Sequence, residues 1–353
     1  MADTLRDALL KSGAVIDGAS ALPLHFGAPK AELHAALNVC TVADRSTLAR
    51  LSGDGPDLLD LIHRLSTNAV TELKPGAGAE TVLTTAKGRI VERLYLAHLG
   101  DAGVLLLGGA GRAGSVLEHL KKYTFAEQTG LADRGGDHCL LALGGPLAAE
   151  TLATAGFAAP PPLGVADGMY DGLPVHILGH DGYSADGFSV LVSHERAGSL
   201  WRALVLAVSK TDGRAAGEQA LQAARIRRGI PLAGAELTEE HNPLEAGLRD
   251  AVAFDKGCYV GQEVVARLDT YDKVSRCIVG LTLPDNLLVV PGESKLFRDG
   301  TAAGIVTSVA AIDGMETVAL AYVKKRVAAF GDHVQVGTDD GPTATLQDFP
   351  MTP

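Results

Sequence analysis

A strand-like segment that breaks at a glycine–proline turn into a helix occurs twice in this chain, and that repetition limits the fold more than any other feature. Residues 46–51 alternate as a strand does. Gly53-Asp54-Gly55-Pro56 then turns the chain into a helix on which Leu58, Leu61, Ile62 and Leu65 share one face. About 90 residues later, from Pro56 to Pro146, the order returns: residues 139–143 are strand-like, Gly144-Gly145-Pro146 turns, and Leu147 and Leu152 mark a helix. Strand patterns at 81–85, 90–98 and 104–107 precede a helix from about 111 to 122, and strands at 175–178 and 188–192 precede a helix over 195–208. The expected arrangement is two related α+β units of ferredoxin-like type that pack as a pair.

From Val274 the pattern changes. Short alternating segments at 277–281, 303–308, 318–323 and 333–336, separated by turn residues, predict a small antiparallel β-barrel. Helical patterning at 4–12 and 30–37 leads the chain in, and a helix over 218–228 ends in Arg225, Arg227 and Arg228. At 353 residues the chain exceeds a single ordinary core. The expected division is a first α+β unit over 1–135, a second over 136–272 and the barrel over 273–353.

With 46% hydrophobic and 21% charged residues the chain reads as globular, and a net charge of −11 argues against a nucleic-acid or anionic-membrane surface. Its four cysteines, Cys40, Cys139, Cys258 and Cys277, form no CxxC pair and have no histidine at metal-ligand spacing, so no metal site is expected within the chain. Neither a secretory signal nor an apolar run of about 18 residues is present, and free thiols in a reducing cytoplasm are expected. Gly108-Gly109-Ala110-Gly111 fits neither the dinucleotide fingerprint nor the phosphate loop.

The chemistry concentrates in Lys256-Gly257-Cys258-Tyr259-Val260-Gly261-Gln262-Glu263. Within eight residues lie a thiol, an ammonium, a phenol, an amide and a carboxylate, where a buried strand would hold aliphatics. Gly257 and Gly261 suggest a shaped turn that presents what lies between them. Lys256 and Arg267 favour a thiolate at Cys258, while Asp255 and Glu263 oppose it. Cys258 and Lys256 are the candidate catalytic groups; a small cysteine packed as a hydrophobe is the plain alternative.

The octapeptide, with Pro243-Leu244-Glu245-Ala246-Gly247-Leu248 and Arg225-Ile226-Arg227-Arg228-Gly229-Ile230-Pro231 before it, resembles the signature of the YgfZ folate-binding family. That family is a branch of the glycine-cleavage T-protein (aminomethyltransferase) superfamily. The resemblance implies two α+β units and a β-rich third domain around a folate channel, with tetrahydrofolate as the bound cofactor. It places Arg225 where the superfamily has a ligand-contacting arginine, the alternative being a solvated arginine stabilising a helix C-terminus. It brings Tyr259 and Gln262 of the signature loop to the folate.

Two departures from the T-protein pattern stand out. Gly182-Tyr183-Ser184-Ala185-Asp186-Gly187-Phe188 lacks the glutamate that holds the pterin, leaving Asp186 either as its substitute or as a turn residue. Glu92-Arg93 stands where the T-protein has two aspartates, one of them regarded as catalytic. This makes Glu92 a candidate folate contact and argues against ordinary aminomethyl transfer.

The resemblance therefore implies a tetrahydrofolate-binding accessory protein that supports iron–sulfur cluster assembly or repair in client enzymes, among them radical tRNA-modifying enzymes. Cys258 would act there as nucleophile, redox partner or transient cluster ligand. The rival expectation is a folate-dependent aminomethyltransferase or demethylase. In either case the partners are folate and proteins, not nucleic acid or membrane.

Overall fold

The computed structural model describes residues 4–16, 22–182 and 187–351. The chain forms two compact units. The first comprises Met1–His63, Ala69–Thr81 and Leu94–Leu221, and the second Arg64–Asn68, Val82–Arg93 and Gln222–Pro353.

In chain order the elements begin with α1 (Leu5–Lys11), β1 (Val15–Ile16), β2 (Pro23–His25), α2 (Pro29–Asn38), β3 (Thr41–Asp44), β4 (Leu48–Asp54), α3 (Leu58–Leu65), β5 (Gly78–Thr84), β6 (Ile90–His98), β7 (Val104–Ala110), α4 (Ala113–Lys121) and β8 (Gly130–Asp133). They continue with β9 (His138–Gly144), α5 (Ala148–Thr154), β10 (Val165–Tyr170), β11 (Leu173–Leu178), β12 (Phe188–Ser193), α6 (His194–Ser209), β13 (Arg214–Ala215) and α7 (Glu218–Arg228). Helix α1 is closed by a capping box, in which the Thr4 hydroxyl accepts from the Asp7 amide at 3.2 Å.

Two sheets organise the first unit. One runs β5-β6-β7-β4-β8, and its strands β5 and β6 also supply residues to the second unit. The other runs β10-β11-β12-β9-β3-β13, antiparallel except where β13 joins β3. The six-stranded sheet is buried on both faces. Leu141, Leu143, Val190, Val192 and Ile177 pack with α1, α5 and α6 around Trp201, while the alternate residues Leu140, Leu191 and Leu178 meet Tyr95, Leu105 and Leu107 of the other sheet.

The strand, turn and helix read at two places in the sequence are present at both. Strand β4 passes through Gly55, at φ +98°, into the segment of α3, and β9 passes through Gly145, at φ +124°, into that of α5. The two strands lie in different sheets. Strand β3 escaped the sequence reading because Thr-Val-Ala-Asp is short and uniformly buried. It pairs with β9 from Thr41 opposite Gly144 to Asp44 opposite Leu141.

The second unit adds α8 (Gln262–Thr270), β14 (Arg276–Leu283), β15 (Lys295–Arg298), β16 (Thr301–Ala310), β17 (Thr317–Lys324), β18 (His333–Val336) and β19 (Thr343–Gln347). The six strands close an antiparallel barrel in the order β14-β17-β16-β15-β18-β19. Its interior is filled by Val279, Leu281, Leu296, Val306, Ala321, Val334 and Leu346 among others, and the closure leaves no free sheet edge. The fold is thus the expected α+β arrangement with a C-terminal barrel. No helix among the described residues is long and apolar enough to cross a membrane.

Candidate functional site

The signature loop belongs to the second unit, and main-chain contacts fix it at several points. The Ala253 amide donates to Thr67 O and the Val260 amide to Arg64 O, both at 3.0 Å. The Thr84 hydroxyl donates to Val260 O at 2.5 Å. Lys256 turns inward, and its ammonium donates to the carbonyls of Ser66 and Asn68, each at 2.8 Å, with the Tyr259 ring 5.0 Å away. Burial lowers its pKa from the usual 10.5 to about 8. Tyr259 is buried, and desolvation raises its phenol to about 12.

Two glycines let the loop meet the turn between β5 and β6. Gly261, at φ +86°, precedes α8, and a Cβ there would run into the Thr85 carbonyl and sit 2.9 Å from the Gly88 backbone. Gly88, at φ +65°, is itself the turn glycine, its amide bonded to Thr85 O at 2.8 Å. Gly257 differs: it has open space around it and no positive φ, so only the second of the two anticipated glycines is demanded by backbone geometry. Gln262 folds back from the first turn of α8 to the carbonyls of Lys256 and Gly257, at 3.3 and 3.4 Å. Cys258 is left exposed at the crown of the loop, whereas Cys40 and Cys139 are buried.

Arg225 lies elsewhere in this unit and is enclosed. Its Nε donates to Gln222, Nη1 to Ile230 O and to Glu236, and Nη2 to the Ser308 hydroxyl. Glu236 also accepts from the Thr307 and Ser308 hydroxyls at 2.6 Å and from the Leu232 amide at 3.0 Å. Glu92 is 1% exposed, on the same inward face of β6 as Ile90. Asp186 lies outside the described residues.

Sequence reasoning missed Glu236 and His241. His241 stacks on Tyr322 with ring centroids 3.5 Å apart, and its carbonyl accepts from the Ile90 amide at 2.9 Å. Burial, with Arg276 and Arg89 nearby, lowers the imidazole from 6.5 to about 4. The Glu245 carboxylate, 3.9 Å from Nδ1, is too distant to offset this with a hydrogen bond. The unfolded chain therefore binds a proton near pH 6.5 that the folded one refuses until about 4, and stability falls as pH drops through that window. The expected loss is on the order of 3 kcal/mol. Urea unfolding of His241→Phe, which keeps the stacking, should show a correspondingly weaker decline between pH 6.5 and 4. Parallel declines in variant and parent would remove His241 as the cause.

In the first unit, Cys139 Sγ lies 3.1 Å from His194 Nδ1, a pairing the sequence could not show. Burial raises that thiol's pKa, which disfavours a nucleophilic thiolate. His180 donates or accepts at 2.9 Å with Glu80 and stacks on Tyr95 at 4.6 Å. Among the described residues no group of three or more His, Cys, Asp or Glu is placed to hold a metal ion.

The chain is similar to known proteins over most of its length. Residues 7–256 match the GCVT N-terminal domain and residues 276–351 the glycine cleavage T-protein C-terminal barrel domain. A chloroplastic protein of Arabidopsis thaliana, whose name assigns it only to the transferases, is 32% identical over 86% of this chain and 69% of its own length. An aminomethyltransferase of Symbiobacterium thermophilum is 30% identical over 93% of this chain and 90% of its own length. The crystal structure of the glycine cleavage system aminomethyltransferase T from Bartonella henselae superposes with a TM-score of 0.82 at 24% identity. That superposition covers 99% of this chain and 97% of the other.

Proposed function

We propose that this chain, which belongs to the glycine cleavage T-protein family, is a tetrahydrofolate-dependent one-carbon transferase of the aminomethyltransferase type. The observation that carries the reading is the extent of the likeness. Both family domains are present, and a relative named aminomethyltransferase aligns over 93% of the chain.

In such a reaction a folate nitrogen attacks the methylene carbon of an aminomethyl donor. The new N–C bond forms as the carbon's bond to the donor's carrier breaks, and a second folate nitrogen then displaces the amino group as ammonia. Each folate nitrogen gives up a proton, one to the carrier and one to the ammonia. Although Glu92-Arg93 departs from the superfamily's pair of aspartates, Glu92, 1% exposed, is the carboxylate of this chain assigned to one of these protons. Folate needs apolar walls and a few placed polar groups, and Tyr259, Gln262 and Asp186 are assigned to those contacts.

The test is turnover of tetrahydrofolate and an aminomethyl donor to methylenetetrahydrofolate. The parent protein should be active, and Glu92→Gln should lower kcat by about 100-fold with little change in KM. A protein that binds tetrahydrofolate and never turns it over would overturn the transferase reading.

Cys258 favours a second reading, that of an accessory protein of the YgfZ type. Its thiol is exposed on a loop held at both ends, and a transferase of this family has no evident need of it. One thiolate completes a cluster site only with a partner's cysteines, so the partners would be iron–sulfur client enzymes, radical tRNA-modifying enzymes among them. On that reading Cys258→Ser abolishes cluster support for the clients while leaving tetrahydrofolate binding and folding intact; loss of folding in that variant would make the cysteine a packing residue.

A further inference from the structure

Arg227 is 2% exposed, yet neither Nε nor Nη1 of its guanidinium meets a hydrogen-bond acceptor among the described residues. It lies in the last turn of α7, two residues beyond Arg225, whose three guanidinium nitrogens are all engaged. Arg45 and Arg50 also bury an unsatisfied Nε, but Arg45 pairs with Glu218 at 2.7 Å and Arg50 donates to the Ser46 and Leu48 carbonyls at 2.8 Å.

The Arg227 backbone is held in place. Its carbonyl accepts from the Met351 amide at 2.7 Å. Gly229, at φ +73°, ends the helix so closely under the Phe349 ring that a Cβ there would lie 2.5 Å from Cγ. The side chain is thus anchored at its root and without a counterion among the described residues.

A buried charge without partners costs several kcal/mol, and native proteins seldom leave one uncompensated. The helix C-terminus offsets about 0.3–1 kcal/mol of that cost. The remainder calls for an anion from outside the described chain. We propose that Arg227 receives a carboxylate of the bound ligand, and on the folate reading above, from which this inference proceeds, that carboxylate is the glutamate end of tetrahydrofolate. Arg225, committed to Glu236, then serves as the support of the helix end that presents Arg227.

Calorimetry with tetrahydrofolate and with tetrahydropteroate, which lacks the glutamate, separates the possibilities. The parent protein should bind the glutamate-bearing ligand at least about 10-fold more tightly. Arg227→Gln should weaken tetrahydrofolate by about 10- to 100-fold and leave tetrahydropteroate unchanged, with Arg227→Lys recovering part of the loss. Equal affinity of the parent for both ligands overturns the assignment without needing any variant to fold, and so does an equal loss of both ligands in a variant whose circular dichroism and melting match the parent. Failure of the parent to bind either compound overturns the folate reading itself, and the Arg227 assignment with it.

Discussion

Arg225→Met is expected to destabilise the protein by about 3–5 kcal/mol, because it leaves Glu236 charged and without its cation in the interior. The pair is enclosed, with side chains 3% and 0% exposed and Nη1 3.3 Å from the carboxylate. The Ser308 hydroxyl links them a second time, accepting from Arg225 at 2.7 Å and donating to Glu236 at 2.6 Å. Tyr322 adds a bond from its hydroxyl to Glu236 O at 3.1 Å, so one network ties the end of α7 to two barrel strands. In Arg225→Met/Glu236→Gln the uncompensated charge is gone, and part of the loss should return. Denaturant unfolding of the two singles and the double closes that cycle. If Arg225→Met unfolds like the parent while tetrahydrofolate binding weakens, the arginine works on ligand and the network is incidental.

Gly261→Ala should cost about 2–4 kcal/mol, combining a left-handed backbone with a collision that no side-chain rotation relieves. The obstacles are the Thr85 carbonyl and the Gly88 backbone. Moving Gly261 would shift Gln262, which closes the loop around Cys258, so activity should fall with stability. Gly257→Ala is the matched control. Open space surrounds that residue, and a change within about 0.5 kcal/mol is expected. Equal melting temperatures for Gly261→Ala and the parent would mean that the turn at 85–89 yields to the loop instead of shaping it.

The two substitutions mark where the sequence was legible and where it was not. Helix α7 lies over Glu218–Arg228 as read, since its apolar positions keep a helical spacing and Gly229 stops it. Strand β18 likewise falls at His333–Val336. Strands β15 and β19, Lys-Leu-Phe-Arg and Thr-Ala-Thr-Leu-Gln, are too short and too mixed to register alone, and only barrel closure makes them strands. The signature reads as a loop throughout, whereas from Gln262 it is helical.

Within the site, residue types were visible and partners were not. The acceptors for Lys256 are the carbonyls of Ser66 and Asn68, and every residue has a carbonyl. Arg225 was marked by its motif, yet Glu236, the acid that occupies it, stands in an unremarkable Gly-Ala-Glu-Leu stretch. Arg227 looked like one more cation at a helix end; its lack of acceptors among the described residues exists only in three dimensions.

The most direct test of the central claim is an anaerobic calorimetric titration of the parent protein with tetrahydrofolate. One-to-one binding in the micromolar range, retained in Cys258→Ser, is the result expected of a folate-dependent protein whose ligand site is separate from its exposed thiol. A flat titration, from protein shown to be folded, would contradict it.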